Sequence, residues 1–482
     1  MRGRSAVLAI ALALLPFVGC SRPAPAPRNA IIIVIDALRA DHLGCYGYQR
    51  PTSPHIDALA AGGTRFANGI STTPWTLPSM ATMMTSLYPT VHGAMAPSDV
   101  LACMIGAPNC HPVTVLDDSR LTLAEVLQRN GFATAAFVPG RGYTSQVFGF
   151  GQGFETFVDS RPETSAIVAG FGEWLDRTLP KRFFAYLHLA EVHAPYTGPY
   201  NRYRADSPDA AERARAQAIA EEVRRYREFN FDPDYRGSMD GSLDAIAHLG
   251  PARLKPIGDR DLAHLVALYD QGISYVDYWI GRLVEELDRR GLLENTVVFL
   301  AADHGDELHD HGGFDHGATF YEEMMHIPFI LRVPHVGTGR VVDEQVGLID
   351  VMPTLLDLLG IDDAPDVQGR SIRPLLSGGS LPERTLFGEA AMIPGLVASR
   401  TNRWKYIRPS GAPPELYDLA ADPHEKVNLC TKDRAPCQPF DKQVLAWRTE
   451  MEAAKTRLAL ATPKAAVIDE QTHERLHQLG YE

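Results

Sequence analysis

The run Ala30-Ile31-Ile32-Ile33-Val34-Ile35 is apolar at every position and stops at Asp36. A strand with one wet face would alternate, so an unbroken β-branched run predicts a strand covered on both sides, as in a parallel sheet. Comparable runs recur at Ala133 to Pro139, Phe183 to Leu189, Thr296 to Ala302 and Ile327 to Pro334, separated by stretches of helical period. The clearest of these has Tyr269, Ile273, Val276, Ile280, Leu283 and Leu287 at steps of three and four, with Gly291 as a stop. The alternation predicts an α/β fold, a doubly wound and mostly parallel central sheet flanked by helices. From about residue 381 the segments shorten (LVASRTNRWKYI, PPELYDL), which predicts a smaller C-terminal α+β subdomain with a short antiparallel sheet and a closing helix.

These patterns divide the 482 residues into a main domain over 29–380 and the subdomain over 381–482. Within the main domain, 198–262 turns polar and reads as an insertion outside the sheet. Residues 1–19 combine a basic start (Arg2, Arg4) with an apolar run too short to span a bilayer comfortably, the form of a signal peptide. Phe17-Val18-Gly19-Cys20 resembles the lipobox of bacterial lipoproteins, and the Pro/Ala-rich stretch over 20–28 has the composition of a tether. The expectation is an exported lipoprotein anchored at Cys20 to a membrane of the bacterial cell envelope or periplasm. Export permits disulfides, and Cys103 with Cys110 and Cys430 with Cys437 form two close pairs, while Cys45 reads as a small buried filler. The formal charge of −13 offers no general basic surface, which argues against nucleic acid as a partner. Oligomeric state is not encoded in any of these features.

Ligands of an open α/β sheet gather at the carboxyl ends of its strands. Asp36 ends the first run there, and Asp303-His304 ends the run at 302. Carboxylates joined by one imidazole suit a divalent ion, calcium and magnesium preferring oxygen, manganese and zinc accepting nitrogen too. An aspartate after a strand is also a common helix cap. The segment DHGDELHDHGGFDHG, 303–317, holds four histidines and five acidic residues among glycines, a composition that builds no core and reads as a site. Upstream, TPWTLPSM places Thr76 just before Pro78, at the expected start of a helix. Two roles are open to it: an N-cap hydroxyl, or a nucleophile favoured by the helix N-terminus and a metal ion.

Taken together, IIIVIDALRADHLGCYGY, TLPSMATMMTSLYPTVHG, DHGDELHDHG with FYEEMMHIPFILRVP, and ELYDLAADPHEKVNL resemble the successive signatures of the sulfatase family within the alkaline phosphatase superfamily. The resemblance runs from about Asn29 to Leu429, and the final HQLGYE is familiar there as well. It implies one divalent cation, of calcium, manganese, magnesium or zinc, held by Asp36, Thr76, Asp303 and His304, with Thr76 also the nucleophile. It implies further that Arg39, His193 and His316 lie near the anionic group or the leaving oxygen. On residue type alone, His193 and His316 could equally be structural histidines, and Arg39 an ion-pair partner of Asp41.

The chain departs from the family pattern in four places. The (Cys/Ser)-x-Pro-Ser-Arg segment reads Thr76-Leu77-Pro78-Ser79-Met80, the second aspartate after Asp36 is Ala37, and His316 stands in the apparent place of a lysine. Threonine is not known to become formylglycine. The set is more similar to members that use an unmodified threonine, including phosphodiesterases and phosphotransferases. The expected function is metal-dependent hydrolysis of a sulfate or phosphate ester. The alternatives are a phosphotransferase or phosphodiesterase acting on glycan or lipid headgroups at the membrane, and a non-catalytic binder on the same fold.

Overall fold

The computed structural model describes residues 26–95, 113–140, 142–160, 163–194, 196, 259–362, 365–390, 393, 395–409, 411–458, 461 and 464–466. The leader, Cys20, the Cys103 and Cys110 pair, 198–258 of the polar segment and the closing HQLGYE lie outside the described residues.

Eight strands form the main sheet: β1 (Asn29–Ile35), β2 (Thr64–Phe66), β3 (Ala133–Phe137), β4 (Thr156–Val158), β5 (Phe183–Leu189), β6 (Thr296–Ala302), β7 (Phe329–Arg332) and β8 (Arg340–Val342). Their order is β8-β2-β7-β6-β1-β5-β3-β4. The three strands with the longest apolar runs, β5, β1 and β6, are central, parallel and buried at every position. This is the environment that a strand without alternation requires. The run from Ile327 differs from the rest of this core, because β7 pairs antiparallel with both β6 and β2.

Two groups of helices pack around the sheet. One comprises α1 (Pro54–Ala61), α4 (Thr164–Thr178) and α5 (Asp259–Arg289); the other comprises α2 (Thr76–Thr85), α3 (Leu123–Arg129) and α6 (Val351–Leu359). The apolar stripe of α5, from Tyr269 to Leu287, is buried as its period predicts, and Gly291 takes a positive φ just beyond it. The helix begins at Asp259, so the last residues of the polar 198–262 segment belong to α5. In the C-terminal region β9 (Leu386–Glu389), β10 (Val397–Arg400), β11 (Trp404–Arg408) and β12 (Glu415–Asp418) form an antiparallel sheet in sequential order. It is closed by α7 (Gln438–Arg457), whose Val444, Trp447 and Met451 are buried with Tyr88 and Val91 of the main domain. Cys430 and Cys437 are disulfide-bonded just before α7. Cys45 is a free thiol and only half-buried, so it is not the fully buried filler that its surroundings in sequence suggested. Among the described residues no helix is long and apolar enough to cross a membrane.

Candidate active site

Because β1 and β6 are parallel neighbours with Ile35 opposite Ala302, the residues that follow them leave the sheet side by side. Asp36 and the pair Asp303-His304 therefore share one edge, the carboxyl end at which α/β sheets bind ligands. Ala37 then turns into the left-handed region at φ 59°, a conformation that costs a non-glycine residue about 1 kcal/mol. Two bonds hold it there: its N–H donates to Asp303 Oδ1 at 3.1 Å, and its carbonyl accepts from the Tyr269 hydroxyl at 2.7 Å. The Ser71 and Ser79 hydroxyls both gather on the Asp303 carbonyl, at 2.5 and 2.7 Å, and fix the exit of β6.

The orientation of His304 is set by Nδ1, which donates to the Gly305 carbonyl at 2.9 Å and leaves the lone pair on Nε2. That nitrogen lies 3.2 Å from Thr76 Oγ1, 3.3 Å from Asp303 Oδ2 and 3.7 Å from Asp36 Oδ1. Burial first, and the neighbouring His316 second, hold the His304 imidazole down at about 3, so it is neutral at neutral pH. Burial and the Asp36 charge push the Asp303 carboxyl up to about 8. Burial would raise Asp36 too, but His193, His188 and His304 override it and keep that carboxyl far below the usual range. Asp36 Oδ1 and Asp303 Oδ2, both buried, have no hydrogen-bond partner. Two carboxylate oxygens facing an imidazole lone pair in a water-poor pocket repel one another, and a divalent cation is the species that reconciles them. The donor set fits such an ion.

The backbone removes the capping role from Thr76. Trp75 is the N-cap of α2, with an extended backbone, and Thr76 is the first helical residue. Its hydroxyl is turned to His304 and not back onto the helix, and the positive end of α2 lies beneath it. Beside this group stands a second one. His316 Nδ1 lies 2.7 Å from Asp315 Oδ1 and 2.8 Å from Asp306 Oδ1, and Tyr196 donates its hydroxyl to Asp306 Oδ2 at 2.7 Å. Burial would lower His316, but Asp315 and Asp306 hold it well above its ordinary value, as an imidazolium. Its ring centroid is 4.2 Å from that of His304 and 4.8 Å from that of His193. His193 in turn donates from Nδ1 to the Ala194 carbonyl.

The structure thus brings Asp36, Thr76, Asp303 and His304 together, with His316 and His193 packed alongside. Arg39 has other neighbours. Its guanidinium is bidentate to Asp41 at 2.9 and 2.8 Å, reaches Asp310 at 2.6 and 3.1 Å, and donates to the Asp306 carbonyl at 3.2 Å. The Asp41 pairing is present, and the bonds to Asp310 and to the Asp306 carbonyl brace the 303–317 loop. His188 went unnoticed in sequence: its Nε2 is 3.2 Å from Asp36 Oδ2, and ligand atoms of Asp36, His188 and Asp303 lie within 4.8 Å of one another. A lone polar residue near the carboxyl end of an otherwise apolar buried strand was the available signal. Tyr196 was equally hidden, and Asp306 and Asp315 stood out only as members of the 303–317 segment, since their meeting with His316 depends on loop geometry.

A family model described as Sulfatase matches residues 28–361, and one described as N-sulphoglucosamine sulphohydrolase, C-terminal, matches 309–444. The chain is 34% identical to a choline-sulfatase of Rhizobium meliloti over 192 residues, 39% of this chain and 36% of that protein. It is 24% identical to an arylsulfatase of Clostridium perfringens over 84% of this chain and 90% of that one, and 23% identical to arylsulfatase K of Canis lupus familiaris over 85% and 80%. Among solved structures, a phosphonate monoester hydrolase of Agrobacterium radiobacter superposes with a TM-score of 0.66 at 21% identity, covering 88% of this chain and 96% of its own. A 2-O GAG sulfatase gives 0.65 at 21% identity over 92% and 95%. At these identities the structural likeness establishes the fold.

Proposed function

The chain belongs to the sulfatase family, ester hydrolases of the alkaline phosphatase superfamily, and from that premise we propose that it cleaves sulfate or phosphate esters with Thr76 as nucleophile and a single divalent cation. One observation carries the reading: the Thr76 hydroxyl sits at a helix N-terminus, 3.2 Å from a neutral imidazole nitrogen and beside two unpartnered carboxylate oxygens. Asp36, Asp303, His304 and Thr76 would hold the cation, which when bound lowers the pKa of a hydroxyl and neutralises ester charge.

In the proposed step Thr76 Oγ1, its proton lost to solvent, attacks sulfur or phosphorus, and the bond to the leaving oxygen breaks with its electron pair going to that oxygen. His316, held as an imidazolium by Asp315 and Asp306, or its neighbour His193, gives that oxygen a proton. A threonine ester has no second hydroxyl through which to collapse, so water must open it and restore Thr76. This feature favours phosphorus centres at least as much as sulfur. Choline-sulfatase, arylsulfatases and phosphonate monoester hydrolases among the relatives define the substrates to try. The test is a panel of aryl sulfate, phosphate monoester, phosphate diester and phosphonate, each with calcium, magnesium, manganese or zinc. Activity that survives Thr76→Ala on the best substrate would refute the assignment.

Transfer to an alcohol on a glycan or lipid is the second reading, favoured by the lipobox-like Phe17 to Cys20 segment, which would hold the site at a membrane. Product analysis with glycerol as acceptor separates transfer from hydrolysis.

A further inference from the structure

Asp36 is held from behind by a buried column that plays no part in the chemistry above. Tyr186 and His188 stand two residues apart on β5, hence on one face of the sheet, and Val34 of β1 lies in register with His188. Met80 lies one helical turn after Thr76 on α2. The three side chains meet: Met80 Sδ is 3.4 Å from the Tyr186 hydroxyl, that hydroxyl is 2.8 Å from His188 Nδ1, and His188 Nε2 is 3.2 Å from Asp36 Oδ2. Tyr186 and Met80 are wholly buried and His188 is 1% exposed, so no water competes for these bonds.

The chemistry of the column gives it a direction. The hydroxyl of Tyr186 has one proton and two acceptors in reach, an imidazole nitrogen and a thioether sulfur, of which the nitrogen is much the stronger. With the Tyr186 hydroxyl donating to Nδ1, the imidazole's own proton sits on Nε2 and is donated to Asp36 Oδ2. The opposite tautomer would aim a lone pair at a carboxylate inside a dry pocket. Asp36 thus has one oxygen fixed by His188, while Oδ1 faces His304 Nε2 at 3.7 Å with no hydrogen-bond partner.

Resting on the metal-dependent reading of the site, we propose that His188, oriented by Tyr186, is a positioning residue that fixes Asp36 so that Oδ1 alone is presented to the cation. Ligating carboxylates need such support, and its loss costs about 10- to 100-fold in metal affinity. Met80 closes the column with a side chain that takes no proton from His188, so the donor capacity of the imidazole goes to Asp36.

The experiment measures Mn2+ affinity of the full chain by competition with a chromophoric chelator, alongside the rise in melting temperature on adding Mn2+, for wild type, Asp36→Asn, His188→Leu, His188→Gln and Tyr186→Phe. Manganese accepts both the nitrogen and the oxygen donors present. His188→Leu should weaken binding about 10- to 100-fold. His188→Gln, whose amide N–H can stand where Nε2–H stood, should stay within about threefold of wild type, and Tyr186→Phe should fall between them. Wild-type affinity in His188→Leu overturns the proposal. So does a glutamine variant as weak as the leucine one, which would make His188 a ligand and not a donor. Should His188→Leu fail to fold, Tyr186→Phe decides, and unchanged affinity there overturns the proposal. A wild-type chain that binds no Mn2+, and so cannot be told from Asp36→Asn, refutes the metal-dependent reading itself and the proposal with it.

Discussion

Of the buried charge clusters among the described residues, two make a contrast: one is internally paired and the other is not. Where the C-terminal sheet meets the main domain, Lys405 is 3.0 Å from both Glu322 and Glu425, and Arg400 is 2.7 Å from Glu322. At the carboxyl edge of β1 and β6, Asp36 and Asp303 approach each other with only neutral or hydrogen-bonded groups between, and among the described residues no lysine or arginine bonds to either. The first cluster joins a subdomain to a domain and needs nothing added. The second is electrostatically incomplete, which a fold tolerates where a ligand supplies the missing charge.

Removing one residue from each cluster should give opposite results. The largest effect expected is on turnover: Thr76→Ala should lower kcat by about 10⁴-fold or more, with a melting temperature unchanged within a degree or two, as read by steady-state kinetics and calorimetry. Next is Lys405→Met, which leaves the buried Glu425 carboxylate without its cation, Glu322 keeping Arg400, and should cost about 3–5 kcal/mol in urea unfolding. Asp303→Asn should go the other way in metal-free protein. Its oxygen can still accept from the amides of Ala37 and His304, at 3.1 and 2.9 Å in the native site, while the new NH₂ faces His304 and Asp36. We expect a gain of about 1–3 kcal/mol at pH 8 together with loss of metal binding. Equal destabilisation by both substitutions would erase the distinction between the clusters.

A smaller effect sharpens the comparison. The folded-state pKa of Asp303, about 8, lies above its ordinary value of 3.8, so the folded chain binds this proton more tightly than the unfolded one. The associated stability is fully present below about pH 4 and is lost as pH rises through 8. Without metal, wild type should therefore lose stability relative to Asp303→Asn between pH 5 and 8. The rise in melting temperature on adding Mn2+ should be greater at pH 8 than at pH 5. A shift independent of pH would contradict the assignment.

Most of the architecture could be read from apolar runs because β5, β1 and β6 have water on neither face, leaving hydrophobicity as their only constraint. The antiparallel direction of β7 could not, since the run at 327–334 looks the same in either sense. Strand ends put Asp36 and Asp303-His304 at one edge of the sheet and the helix start put Thr76 at an N-terminus, because strand and helix geometry set those positions; that Thr76 meets the other three came from motif resemblance. His188 was missed because one polar residue in a buried strand has many uses, and its meaning lies in the neighbouring strand. For Arg39 two readings were open, and the structure shows the pairing with Asp41, two residues on, while the further pairing with Asp310 depends on loop geometry that sequence does not carry.

Metal content after dialysis shows whether the incomplete cluster is a cation site. Wild-type chain equilibrated with Mn2+ and analysed by elemental mass spectrometry should retain about one ion per chain, and Asp303→Asn essentially none. A wild-type chain that retains no ion, or an Asp303→Asn variant that retains as much as wild type, would contradict the account.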